Sequence, residues 1–350
     1  IFAGKLPAFA ELCFPRFWDF KSCEYVFIWF CLLACICGCN MRSNKVIVVG
    51  RYNVDMTVKV DVFPKAGETV IGNGLAYGHG GKGANQAVAA CLARARTSLL
   101  AKVGSDLYGK RAIEALTLKG VNTHSIQKEK IEPTGMAFIT VDSQGENNIV
   151  VASGANGKLS PQDITSESSV FEDADVLLTQ LETPLESVSA AIKMAQETDV
   201  TVILNPAPAQ TLAPDLLKDV DIITPNRAEA EMLTGIKITD DESLIKSAEK
   251  LHSYGVKIVL ITLGSEGVFM SHPGKSMLIP AIKVHAVDTV GAGDVFNGVL
   301  AAYYSNINTL EAVVERAMIA AGLSVTSAGA QTSIPTLEAI KSYQLEHSNT

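Results

Sequence analysis

The chain has 350 residues, a hydrophobic fraction of 47% and a net charge of −8. That length suits one large α/β domain or two ordinary ones, and the apolar fraction allows a sizeable core. The acidic balance argues against a nucleic-acid or anionic-membrane partner, so an anionic ligand has to be met locally, by glycine amides or lysine.

Cysteine is unevenly spread. Six of the seven (Cys13, Cys23, Cys31, Cys35, Cys37, Cys39) precede Met41, and only Cys91 follows. A body with one cysteine has no disulfide framework, which suits a reducing, cytoplasmic setting. Residues 1–40 differ from everything after them. Tyr25–Cys37 is nearly all apolar, too short for a membrane span of roughly 20 residues and close to a signal-peptide core, with Arg16 and Lys21 upstream. Leu32-Leu33-Ala34-Cys35 resembles a bacterial lipoprotein cleavage site. Against a targeting or anchor role, Met41-Arg42-Ser43-Asn44 reads as a protein start running into a first strand. Residues 1–40 are therefore expected to lie outside the catalytic domain, which is placed at 41–345.

Lys45–Gly50 is a short β-branched run ended by glycine, the form of a buried central strand. Asn53 and Asp55 are expected on the following loop, two positions apart and on one face, where they could bind sugar hydroxyls. Residues 57–76 read as hairpin-like strands with turns at Pro64–Gly67 and Gly72–Gly74. Gly78–Ala87 follows and contains a formal G-x-G-x-x-G. It lacks the directly preceding strand of a dinucleotide fingerprint, and Lys82 is followed by Gly83 instead of the Ser or Thr of a Walker A loop. What remains is a glycine cluster presenting Lys82 and Asn85 at the start of an alanine-rich helix.

Ser98–Val103 is another strand and Gly109–Lys119 another helix. Gly135–Val141 and Asn147–Ala152 form a hairpin through Asp142–Glu146, and 135–152 should join 57–76 in a small separate sheet. Strand and helix then alternate: Asp175–Gln180 with Leu185–Thr198, Val200–Leu204, Asp221–Thr224 with Asn226–Leu233, and Lys257–Leu263 ending in Gly264-Ser265-Glu266-Gly267. Such alternation predicts a parallel sheet covered on both faces, with ligands beyond the C-terminal strand ends. Glu182, Asn226, Glu229, Gly264 and Gly267 fall just past such ends.

Asp288–Gly298 reads Asp-Thr-Val-Gly-Ala-Gly-Asp-Val-Phe-Asn-Gly. Gly291 and Gly293 let backbone approach a ligand, and a helix starting here would aim free amides and its positive end at an anion. Asp294 is awkward beside an anion unless it does chemistry there. Accepting a proton from an alcohol while the amides hold a transferring phosphoryl group is the simplest such chemistry.

Two signatures, Gly80–Ala87 and Asp288–Gly298, resemble the ribokinase family of sugar kinases, within the wider carbohydrate kinase group. Leu204–Ala209, Thr224-Pro225-Asn226 and Thr262–Ser265 fit in order between them, and the likeness runs from about Lys45 to Pro335. The resemblance implies a three-layer α/β/α sandwich with a β-sheet lid, and ATP-dependent phosphorylation of D-ribose at O5. It implies sugar binding by Asn53, Asp55, Gly81, Lys82, Asn85, Glu182 and Asp294. ATP would lie along Asn226, Thr262, Gly264, Ser265, Gly267 and Gly293. Gly291, Ala292 and Gly293 would form the anion hole and Asp294 the base. Glu229 would be linked to Mg²⁺. K⁺ would sit among Asp288, Val290, Ser324, Ser327, Gly329 and Ser333. A homodimer through the lid is implied as well. Met318 departs from the family, which often has a polar residue near the adenine. The rival readings are a kinase for another furanose (deoxyribose, fructose or a nucleoside), a non-catalytic sugar-binding protein and a nicotinamide oxidoreductase using Gly78–Gly83.

Overall fold

The computed structural model describes residues 44–304 and 309–347, so the expected extension at 1–40 and the domain start at Met41 lie outside the described residues. In chain order, β1 (Lys45–Val49) leads into β2 (Asn53–Lys59) and β3 (Asn73–Gly80), then helix α1 (Lys82–Leu92). Next come β4 (Arg96–Gly104), α2 (Leu107–Leu118), β5 (Ile126–Glu129), β6 (Met136–Val141) and β7 (Asn147–Ala152). Two short helices, α3 (Pro161–Thr165) and α4 (Ser168–Glu172), precede β8 (Val176–Thr179), α5 (Leu185–Glu197), β9 (Thr201–Leu204), α6 (Pro214–Leu217) and β10 (Ile222–Ile223). The chain closes with α7 (Arg227–Thr234), α8 (Asp241–Ser253), β11 (Ile258–Thr262), β12 (Val268–His272), β13 (Lys275–Ile279), α9 (Ala292–Tyr303), α10 (Leu310–Ser324) and α11 (Leu337–His347).

The large sheet runs β13-β12-β11-β10-β9-β8-β1-β4-β5. From β11 to β5 every pairing is parallel. Its central strands are near-continuous apolar runs because both faces are covered: Val46–Val49 and Val176–Thr179 are fully buried. Below one face Ile47, Leu177, Val202 and Val259 pack with Val188, Ile192 and Ala195 of α5 and Leu244 and Leu251 of α8. β12 and β13 add an antiparallel hairpin at one edge, turning at Gly274 with positive φ. Neither strand, nor β5 at the other edge, was expected from the sequence, because all three lack the long apolar run that marks the centre. The three-layer architecture expected from the alternation is present.

The second sheet has the order β3-β2-β6-β7. Its outer pairs are antiparallel, while β2 and β6 run parallel. Two chain segments build it, as expected, but its strands reach further than 57–76. β2 begins at Asn53 and β3 ends at Gly80. Asn53 and Asp55 are therefore strand residues, facing Gly80 and Gly78 across the pair, and not loop residues. The glycine-broken sequence before Tyr77 pairs all the same, since β2 supplies the partner hydrogen bonds. Side chains alternate between faces. Asn53 and Asp55 share one face with Ile139 and Ile149, and Met56, Tyr77, Phe138 and Val150 line the other.

Two helix starts meet above the large sheet. Gly298 of α9 packs on α1 so closely that a Cβ there would overlap Ala89 and the Gln86 carbonyl. This close crossing brings the first turns of both helices together, and with them Asn85, Gln86 and Asp294. Among the described residues no helix is long and apolar enough to cross a membrane.

Candidate active site

Asp294 lies in the first turn of α9, only 6% exposed. One carboxylate oxygen accepts from Asn85 Nδ2 at 2.9 Å and the other from Gln86 Nε2 at 3.0 Å. Both donors come from the first turn of α1. Gln86 cannot turn away: Nε2 also donates to Asn205 Oδ1 at 3.0 Å, and Oε1 accepts from Gln180 at 2.7 Å. Asn85 is fixed in turn by Gln331, which donates to its Oδ1 at 3.0 Å. Behind them Asn297 donates to the Gly293 carbonyl at 2.8 Å and accepts from the Thr224 hydroxyl at 2.6 Å. An ionised carboxylate accepts only, and each oxygen keeps a free lone pair after one amide bond. The arrangement can receive a hydroxyl proton at a fixed point. Gly291 caps α9 with φ +81, and the intrahelical ladder begins with Val295 N–H to the Gly291 carbonyl. The Gly293 and Asp294 amides thus precede the ladder at the positive end of the helix, a ready anion site.

The sugar-side residues converge on this point. Gly81 tucks against residues 51–53, where a Cβ would collide with the Arg51 carbonyl and Tyr52. Asn53 is buried, its Oδ1 accepting from Asn156 at 3.1 Å, and Asn156 also grips the Tyr52 backbone. The Asp55 carboxylate rests on the bare α-carbon of Gly80. Burial pushes its pKa up to about 6, with Arg51 opposing and Glu182 adding to the rise. Glu182 accepts from Arg51 Nη2 at 2.6 Å and from the Lys82 amide at 3.0 Å. Burial raises its pKa too, while Arg51 and Lys82 hold it down and Asp294 pushes it up.

The nucleotide-side residues form a second group. Asn226 caps α7: its Oδ1 accepts from the Glu229 amide at 2.8 Å, and Glu229 Oε2 accepts from the Asn226 amide at 2.8 Å. This capping box accounts for the N-x-x-E spacing locally. Glu229 is nevertheless buried with a raised pKa, and both Lys82 and Asp294 act on it, so it faces the catalytic end. Thr262 bridges to Asn226, and its amide donates to the Pro225 carbonyl at 2.9 Å. Gly264–Glu266 makes a single 3-10 turn closed by Gly267 with φ +117. Gly264 and Ser265 are exposed, Arg227 pairs with Glu266 at 2.9 Å, and Met318 of α10 is buried.

Asp288 accepts from the Val290 amide at 3.0 Å and the Gly329 amide at 2.9 Å, which ties the turn before α9 to the segment after α10. Of the other expected cation ligands, Ser333 is buried and Ser327 exposed. Ser324 is buried, and its hydroxyl donates to the Ala321 carbonyl of its own helix. Gly78 and Gly80 belong to an antiparallel strand, which rules out a β–turn–α dinucleotide fingerprint there.

Sequence reading passed over Arg51, Gln86, Gln180, Asn205, Asn297 and Gln331 as site residues. Gln86 stood inside the glycine cluster, next to Asn85, and that adjacency was the available signal. Gln180 and Gln331 carry no pattern and are found only by folding.

The model of the pfkB family carbohydrate kinases matches residues 43–337. Ribokinase of Haemophilus influenzae is 44% identical over 300 residues, covering 86% of this chain and 98% of that protein. A deoxyribokinase of Salmonella typhi is 35% identical over 299 residues, 85% of this chain and 98% of its own length. Among solved structures, Arabidopsis thaliana ribokinase complexed with ribose and ATP aligns with a TM-score of 0.81 at 32% identity, covering 86% of this chain and 98% of that one. With a buried carboxylate beside free helix-end amides, and with likeness along nearly its whole described length, this chain belongs to the pfkB family of carbohydrate kinases.

Proposed function

We propose that this kinase transfers the γ-phosphoryl group of ATP to the O5 hydroxyl of D-ribose. The observation that carries the reading is the buried Asp294 carboxylate, held on both oxygens beside the free amides of α9. Asn53, Asp55, Gly81, Lys82, Asn85 and Glu182 bind the sugar and orient O5 toward Asp294. Asp294 takes the O5 proton as the phosphoryl group moves. The Gly291, Ala292 and Gly293 turn holds the phosphoryl oxygens, and positioning supplies most of the rate. ATP lies along Asn226, Thr262, Gly264, Ser265, Gly267 and Gly293. Mg²⁺ supplies charge neutralisation on the phosphates, and Glu229 suits its hydration shell because one carboxylate oxygen remains outside the capping box. A monovalent cation, K⁺, fits the Asp288 turn, where a carboxylate and backbone carbonyls such as those of Val290 and Ser324 offer the oxygens a hard cation wants. The small sheet closes over the sugar and excludes water.

The outer face of that sheet exposes Leu75, Tyr77, Phe138 and Val150. Such a patch on a soluble enzyme marks an interface, and a second copy is its proposed partner in a cytoplasmic homodimer. Phe138→Asp should convert the dimer to monomers by light scattering; an unchanged mass would sink the assignment. The activity itself is tested by coupled ADP detection with D-ribose, 2-deoxyribose and fructose. Ribose-dependent ATP consumption is expected, and faster turnover of 2-deoxyribose would favour the second reading, which the deoxyribokinase relative supports.

A further inference from the structure

The sugar cup holds two acidic groups, Asp55 and Glu182, that repel one another in a partly dry setting. A sugar hydroxyl donating to either needs it ionised, because a carboxyl that has taken up a proton loses acceptor capacity. Arg51 is the counterweight. Val49 pairs in register with Thr179, so the chain leaves β1 and β8 side by side. Arg51 follows the first end and Glu182 the second, and their ion pair spans the gap with side chains only 15% and 6% exposed. The second Glu182 oxygen takes the Lys82 amide, so its rotamer is set from two separate segments. The Arg51 carbonyl meanwhile accepts the Ala84 amide and anchors the start of α1. The Arg51 Nε is buried without a partner. A buried donor without a partner calls for an explanation beyond the ion pair itself.

We propose that Arg51 is a positioning residue of the sugar site, fixing Glu182 and keeping Glu182 and Asp55 ionised as acceptors for sugar hydroxyls, so that sugar affinity and its acid limit depend on it while the chemical step does not. This rests on the sugar-kinase reading above. The groups facing the pair are Arg51 from the end of β1, Lys82 from α1 and Asp294 from α9. The Tyr52 hydroxyl is kept protonated by burial, and the His79 ring bonded to it at 2.6 Å has its pKa lowered by burial. The sign follows. A carboxyl with a raised pKa gains its proton as pH falls through that value, so ribose KM is low above about pH 6 and climbs below it. Removing the Arg51 charge moves the climb to higher pH.

The test compares ribose KM and kcat across about pH 5 to 9 for the native enzyme, Arg51→Gln, Arg51→Lys and Glu182→Gln. Arg51→Gln should raise ribose KM at neutral pH by roughly 10–100-fold, the range for losing a charged hydrogen bond. Its KM should climb from a higher pH than the native one, with kcat within a few fold. Arg51→Lys keeps the charge and should keep the native acid limit. A native-like ribose KM in Arg51→Gln overturns the proposal, as does a rise that is equal at every pH and equal in Arg51→Lys. If Arg51→Gln does not fold, as judged by thermal melting, an acid limit displaced in Arg51→Lys overturns it instead. Glu182→Gln separates the two readings: an unchanged ribose KM there defeats the sugar site itself, whereas a raised KM there with a native-like Arg51→Gln defeats only the role of Arg51.

Discussion

At the sugar end Asn53, Asn85, Gln86 and Asp294 are each less than 7% exposed, and side-chain amides bind side-chain amides several layers deep. At the nucleotide end Asn226, Gly264 and Ser265 are exposed, and the partners are backbone groups of short turns. The contrast follows the chemistry. A proton acceptor has to hold its hydroxyl at hydrogen-bond distance, about 2.6–3.2 Å, with little tolerance, and on the proposed reading Asp294 is embedded where packing and paired amides leave no other position. A triphosphate is long and offers many oxygens, so amides at a helix start and a glycine turn can hold it without a rigid interior.

The largest test of this contrast is Asp294→Asn. It keeps shape and removes the base, and should lower kcat roughly 10²–10⁴-fold while ribose binding by calorimetry stays largely intact. Turnover near native would break the assignment. Gln86→Met is next. It removes one donor from Asp294 and leaves Asn205 and Gln180 short of a partner. A kcat loss of roughly 10–100-fold with KM for ribose within a few fold is expected, because the lost bond is made to a charged acceptor. A KM effect without a kcat effect would contradict a positioning role for Gln86. The cation reading predicts a smaller change, about tenfold or less. Activity in alkali-free Tris buffer should rise on titrating KCl at constant ionic strength, and Asp288→Asn should blunt the response. A flat titration would remove the ion from the mechanism. Smallest is Asn226→Ala, which removes a helix cap worth about 0.5–2 kcal/mol. It should lower Tm by a few degrees and raise KM for ATP several fold with ribose KM unchanged. A larger effect on ribose than on ATP would erase the distinction between the two ends.

The central sheet was legible because parallel strands covered on both faces read as apolar runs, as in Val46–Val49 and Val176–Leu178. β13 was not, since this edge strand mixes polar and apolar residues, and β12 was not, since its apolar run, Val268–Met270, is only three residues long. The helix start capped by Gly291, with Asp294 in its first turn, could be read from Gly291, Gly293 and Asp294, because a helix start depends on local spacing. Asn53 and Asp55 were recognised as same-face residues but placed on a loop, because the strand that carries them exists only through pairing with distant β3 and β6. Gln331 lies 246 positions from Asn85, and no local pattern can announce a contact of that separation.

β2 is at once one of the two inner strands of the outer sheet, paired on both sides, and the carrier of Asn53 and Asp55. The proposed cover and the proposed grip on the sugar therefore share one strand. If Asn53 and Asp55 bind the sugar as proposed, any movement that uncovered it would also withdraw its hydroxyl partners, and product would leave a pocket that had already let go. Admission and recognition of the next sugar would then be a single event, and a poor substrate would be refused by failing to draw the strand down.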